Sequence, residues 1–250
     1  MTEKKDKNII KKRIGCIVVG AIILMAAAMG TFTIYSKRSK SNSYSIEELK
    51  IPQGAIKVAC VGDSITLGNS KGKKLISYPV QLQEILGNNY YVLNCGMSSA
   101  TAQSEGNLPY SSLKMYQSSL QYEPDIVIFM LGTNDAKIDN FITKEIFKEE
   151  YCNLLATYQS LESNPQIILM TPPTAYPNNG GDLCVFKIQA SAVEEIAQVV
   201  RDVALEQNLQ VIDINNLTAD KPELFSDGIH PTTEGASLIA NEVAELLADR

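Results

Sequence analysis

From Ala55 onward the chain repeats one pattern: a short, nearly continuous apolar run, a polar break, then a stretch with helical spacing of apolar residues. The runs are IKVACV (56–61), YYVLNC (90–95), DIVIFML (125–131), QIILM (166–170) and LQVIDI (209–214). Short runs without strict alternation are what strands look like when both faces of a parallel sheet are covered. Helical spacing is clearest in 188–205, through Ile188, Val193, Ile196, Val200, Val203 and Ala204, and in 236–247, through Ile239, Val243, Leu246 and Leu247. Strands alternating with helices through right-handed crossovers predict an α/β protein. The expected architecture is a three-layer α/β/α sandwich around a five-stranded parallel sheet, in one domain spanning 55–250 without internal repeats.

The first 54 residues follow another pattern. Residues 14–36, IGCIVVGAIILMAAAMGTFTIYS, carry no charge over 23 positions. At about 1.5 Å per helical residue, such a span is long enough for a hydrocarbon core of about 30 Å. Six basic residues precede it (Lys4, Lys5, Lys7, Lys11, Lys12, Arg13) and three follow closely (Lys37, Arg38, Lys40). That bias keeps the N-terminus in the cytoplasm and sends the rest across. The expected organisation is a basic cytoplasmic tail (1–13), a transmembrane signal anchor (14–36), a polar Ser-rich linker (37–54) and an extracytoplasmic domain. Cleavage after Ala26-Ala27-Ala28, releasing a secreted protein, is the rival reading.

Charge separates the same two parts. Residues 1–40 hold nine Lys/Arg and two Asp/Glu, whereas 41–250 hold thirteen and twenty-six. A domain this acidic lacks the basic face that nucleic acid requires. The five cysteines (Cys16, Cys60, Cys95, Cys152, Cys184) form no close pairs, so buried free thiols are expected. A Cys60–Cys95 bridge stays open should their strands be neighbours.

Polar residues gather at the ends of the apolar runs. Gly62-Asp63-Ser64 follows the first, Gly96 of NCGMSSAT the second and GTND (132–135) the third; DGIHP (227–231) precedes the last helix. Doubly wound sheets bind ligands beyond the carboxyl ends of their strands. Ser64 has two readings there: a helix cap or a nucleophile at the mouth of the sheet. His230 favours the second. It is the only histidine in the chain, and a nucleophilic serine needs a base that titrates near neutrality. Asp227, three residues earlier, can reach the ring through a turn, fix its tautomer and stabilise the imidazolium. Asp63 and Asp135 are expected to bind loop N–H groups. One histidine and dispersed cysteines cannot supply ordinary zinc ligands, so no metal is expected.

With these blocks in order, the sequence resembles the SGNH, or GDSL, hydrolases over roughly 56–248. The resemblance implies a flavodoxin-like sandwich and no cofactor. It makes Ser64 the nucleophile and His230 the base oriented by Asp227. The N–H groups of Ser64 and Gly96, with the Asn134 side-chain amide, would form the oxyanion hole. Such donors stabilise the charge on a tetrahedral intermediate, and a glycine lets backbone approach substrate closely.

The reaction implied is acyl transfer from an ester through an acyl-serine, normally to water. Two loops expected to line the pocket, MSSATAQSEGNLPYSS (97–112) and TPPTAYPNNGGDLC (171–184), are polar and poor in Leu, Ile and Phe. A long acyl chain needs an apolar groove, worth about 0.8 kcal/mol per buried CH₂. The loops therefore predict a short acyl group, acetyl foremost, on a polar carrier. The segment 96–137 is also similar to the branch of the family that includes carbohydrate O-acetylesterases. A lysophospholipase or thioesterase-like enzyme and a cell-wall O-acetyltransferase would use the same residues. A non-enzymatic surface protein would lack one of them, and none is missing.

Overall fold

The computed structural model describes residues 46–248 apart from 71, 72, 75 and 142. The basic tail, the 14–36 span and the linker up to residue 45 lie outside the described residues. Among the described residues no helix is long and apolar enough to cross a membrane.

Five strands form the sheet: β1 (Ile56–Gly62), β2 (Tyr90–Gly96), β3 (Ile126–Met130), β4 (Gln166–Met170) and β5 (Gln210–Ile212). All neighbours run parallel, in the spatial order β2-β1-β3-β4-β5. The helices are α1 (Ser64–Leu67), α2 (Tyr78–Leu86), α3 (Lys114–Gln121), α4 (Lys144–Gln159), α5 (Ala190–Glu206), α6 (Ile214–Thr218) and α7 (Thr233–Ala248). Successive strand residues point to opposite faces, and here both faces are apolar. Val58, Cys60, Ile128 and Met130 pack with Tyr78 and Leu82 of α2 and with Ile239 and Val243 of α7. Val61, Val127 and Phe129 pack with Met115 of α3, Tyr151 and Leu155 of α4 and Ile196 of α5. The result is the expected three-layer sandwich. Strand order reverses at β1, so a crevice opens beyond the carboxyl ends of β1 and β3.

Three details depart from the hydrophobic pattern. The fifth strand covers only Gln210–Ile212 of the expected 209–214. Asp213 leaves the sheet to cap α6, accepting from Asn216 N at 3.2 Å, and pairs with Arg201 Nε at 2.9 Å. Ile46, Leu49 and Ile51, in the stretch read as linker, pack against the core, as three apolar residues within six positions allow. The two central cysteines stay free. Register sets Cys60 opposite Asn94 and Cys95 opposite Val61, so this one-residue offset sends the thiols to opposite faces of the sheet. Burial pushes the Cys60 thiol up to about 12, which leaves it protonated and unreactive at neutral pH.

Candidate active site

The chain leaves β1 at Gly62 and turns at once into α1. Asp63 caps that turn, its Oδ1 accepting from Ile65 N at 2.9 Å. Ser64 is the first helical residue, half-buried at the crevice. Across the crevice, residues 227–230 form a tight turn before α7. Asp227 Oδ1 accepts from Ile229 N at 3.1 Å and from His230 N at 2.8 Å. Gly228 makes the turn feasible: its φ is +81°, and a Cβ there would collide with the Tyr176 carbonyl oxygen.

The turn aims two hydrogen bonds in series. His230 Nδ1 lies 3.0 Å from Asp227 Oδ2, and His230 Nε2 lies 2.9 Å from Ser64 Oγ. A carboxylate on Nδ1 keeps the proton there, so Nε2 presents its lone pair to the serine hydroxyl. Asp227 is 4% exposed and His230 7%, which shields the pair from competing water. Burial pushes the Asp227 carboxyl up. The His230 N–H, the imidazole and the Ile229 N–H outweigh that and hold it below the usual carboxylate range.

Asn134 reaches the same place from the end of β3. Its Nδ2 donates to Asp63 Oδ2 at 3.2 Å, and its backbone carbonyl accepts from Asn140 Nδ2 at 2.8 Å. One amide hydrogen is thus anchored and one is left for the crevice. Asp63 therefore binds the Ile65 N–H at the start of α1, rather than a loop N–H, together with the Asn134 amide, and burial pushes its carboxyl up to about 6. Asp135 accepts from Ala102 N at 3.0 Å and Gln103 N at 2.9 Å. It ties the loop after β2 to the loop after β3.

Ser64, Asn134 and His230 line a common cavity of about 180 Å³. Phe186 forms part of its wall, 49% exposed and set edge-on to the imidazole at 5.5 Å between ring centroids.

A model of the GDSL-like lipase/acylhydrolase family matches residues 60–238. The chain belongs to that family. Over 212 residues this GDSL-family chain is 31% identical to an acetylxylan esterase of Xylanibacter ruminicola, covering 77% of this chain and 43% of that one. It spans less than half the length of the curated relatives it matches. A solved lipase/acylhydrolase from Enterococcus faecalis is 24% identical with a TM-score of 0.62, over 78% of this chain and 96% of that one. A carbohydrate acetylesterase family member from Sinorhizobium meliloti is 20% identical, also with a TM-score of 0.62, over 78% and 98%. What these two structures share with this chain is the fold.

Of the residues expected in the site of this GDSL-family chain, the fold gathers Ser64, Asp227, His230 and Asn134. Gly96 it keeps apart. The Gly96 N–H is committed to Asn94 Oδ1 at 2.9 Å. A Cβ there would press on the backbone of α1, 2.8 Å from Leu67 Cα and 2.9 Å from Asp63 O. Glycine is required at 96 so that β2 can pack against α1. Three residues on, Ser99 lines the cavity with a φ of +66°, a conformation that costs a non-glycine residue about 1–2 kcal/mol. Its N–H has no backbone acceptor among the described residues. Sequence reading passed over Ser99, whose only signal was its place in a polar loop.

Proposed function

We propose that this chain is a serine esterase that hydrolyses short-chain acyl esters, acetyl above all, on a carbohydrate carrier. The observation that carries this reading is the unbroken series Asp227–His230–Ser64, with bonds of 3.0 and 2.9 Å, at a cavity shared with Asn134. In the first half-reaction the Ser64 hydroxyl proton passes to His230 Nε2 as Oγ attacks the ester carbonyl. Asp227 stabilises the imidazolium, and the N–H groups of Ser64 and Ser99 with the Asn134 amide hold the oxyanion. Ser99 takes the place first expected of Gly96, whose N–H is already spent. His230 then gives its proton to the departing alkoxide. Water repeats the sequence on the acyl-serine and releases the acid.

Size supports the short acyl group. A cavity of about 180 Å³ is smaller than the roughly 300–1,000 Å³ of pockets for drug-sized ligands. The acetylxylan esterase relative supports a carbohydrate carrier; of the two polar loops only Ser98 and Ser99 line the cavity, and no residue of 171–184 does. The test is a series of p-nitrophenyl esters with acyl chains from acetyl to octanoyl. kcat/KM should favour acetate over octanoate by roughly tenfold or more, the scale on which pockets discriminate chain length. Values that rise with chain length would favour a lysophospholipase instead. Faster transfer of acetyl to an added saccharide than to water would favour an O-acetyltransferase.

For location, the reading is a domain held outside the cytoplasmic membrane by residues 14–36. Its support is the uncharged 23-residue span behind six basic residues. Alkaline washing should leave the full-length chain in the membrane fraction. A mature N-terminus at Met29 would mean cleavage after Ala28 and a released enzyme.

A further inference from the structure

One cation in the cavity has no use in the chemistry described so far. Lys137 lines the same cavity as Ser64 and His230. The two carboxylates near it are already occupied. Asp63 accepts from Ile65 N and Asn134 Nδ2, and Asp135 accepts from Ala102 N, Gln103 N and, at 3.3 Å, Gln103 Nε2. None of the ion pairs among the described residues involves Lys137. Its backbone is held firmly: Lys137 N donates to Asn134 O at 3.3 Å, and the residue bridges to Ile188 in an antiparallel contact. The Lys137 side chain therefore rises from a fixed backbone at the wall of the cavity that Ser64 also lines. Partial burial strips water from it and lowers its pKa, against the attraction of Asp63 and Asp135.

A half-buried, unpaired ammonium in a small cleft is an incomplete arrangement. It has lost part of its hydration, and Asp63 and Asp135 attract it from a distance without forming an ion pair with it. An anionic group on the substrate would supply one, and the low-polarity walls of Phe186, Ile188 and Ile229 around it concentrate the field there. We infer that Lys137 is a specificity-determining residue that selects ester substrates bearing an anionic group, a carboxylate foremost, close to the scissile bond. This rests on the esterase reading given above and goes beyond it by fixing the charge of the substrate. The carboxylate can belong to the carrier, as in an acetylated uronic acid, or to the acyl part, as in a dicarboxylic half-ester.

Two matched pairs of substrates test it on the full chain. The first is an acetylated methyl glucuronoside against its neutral glucuronamide, followed by acetate release. The second is p-nitrophenyl hydrogen succinate against its neutral succinamide, followed by nitrophenol release. In at least one pair the wild type should favour the anion in kcat/KM by roughly tenfold, the lower end of what a focused charge provides. Which pair responds assigns the carboxylate to carrier or acyl group. Raising the salt should shrink the preference, Lys137→Met should bring the ratio to about one, and Lys137→Arg should keep most of it. Melting curves establish that each variant is folded. Hydrolysis of p-nitrophenyl acetate with wild-type ratios near one in both pairs overturns this inference alone. So does a ratio that Lys137→Met leaves unchanged, which would make Lys137 a mere balance for Asp63 and Asp135. A wild type that hydrolyses none of the esters overturns the esterase reading, and this inference with it.

Discussion

Ser64→Ala and His230→Ala are each expected to lower kcat for ester hydrolysis by about 10⁶-fold, the scale seen when a member of such a unit is removed. Each change breaks the proton path at one end of the 2.9 Å contact between Ser64 Oγ and His230 Nε2. Without the hydroxyl there is nothing to acylate; without the imidazole the hydroxyl keeps its proton. The two losses are not additive, so the double variant should be little worse than either single one. Both variants should remain folded. Ser64 is half-buried at the crevice, and the α1 cap is made by Asp63 rather than by the serine. Steady-state kinetics with p-nitrophenyl acetate, beside a thermal melt, measure both effects. Asp227→Asn should also be impaired, since an amide in place of the carboxylate favours the wrong imidazole tautomer.

The second large effect is expected at Asn134. Asn134→Ala should reduce kcat by roughly 10²–10³, as loss of one oxyanion donor does. KM should change much less, because the amide is needed most when charge develops on the carbonyl oxygen. The Asn134 side chain is held in place beforehand. One amide hydrogen is fixed on Asp63 Oδ2 at 3.2 Å, and the backbone carbonyl is held by Asn140 Nδ2 at 2.8 Å. A donor already aligned does not have to reorganise during the reaction. An unchanged kcat with a raised KM would make Asn134 an ordinary substrate contact.

The sheet was legible because buried parallel strands leave little room for polar residues: each of the five apolar runs holds one strand, four of them almost end to end and the fifth over half its length. The three residues Ser64, Asp227 and His230 could be picked out for a chemical reason: a lone histidine admits one base, and a carboxylate three residues away admits one orienting partner. Gly96 shows where that reasoning stops. A glycine at a strand end can make room for substrate or for a neighbouring segment, and residue type alone does not separate the two. Here the neighbour is α1, and the proposed oxyanion donor is instead Ser99, whose left-handed backbone no local residue preference would announce. Lys137 and Phe186 were equally silent. Their side chains meet the cavity because Lys137 bridges to Ile188, a pairing between distant segments. The cysteines repeat the point on a smaller scale: neighbouring strands were foreseeable, but the one-residue offset that separates the thiols is a matter of register.

The acyl-serine is the centre of the account, and trapping it is the most direct measurement. The purified chain is reacted with a fluorophosphonate, which modifies a serine only when a base activates it, and the adduct is mapped by peptide mass spectrometry. The account predicts a single stoichiometric adduct on Ser64, prevented by prior incubation with a slowly turned-over acetyl ester and lost in His230→Ala. A preparation that hydrolyses p-nitrophenyl acetate but carries no adduct on Ser64, or carries it on another residue, would contradict it.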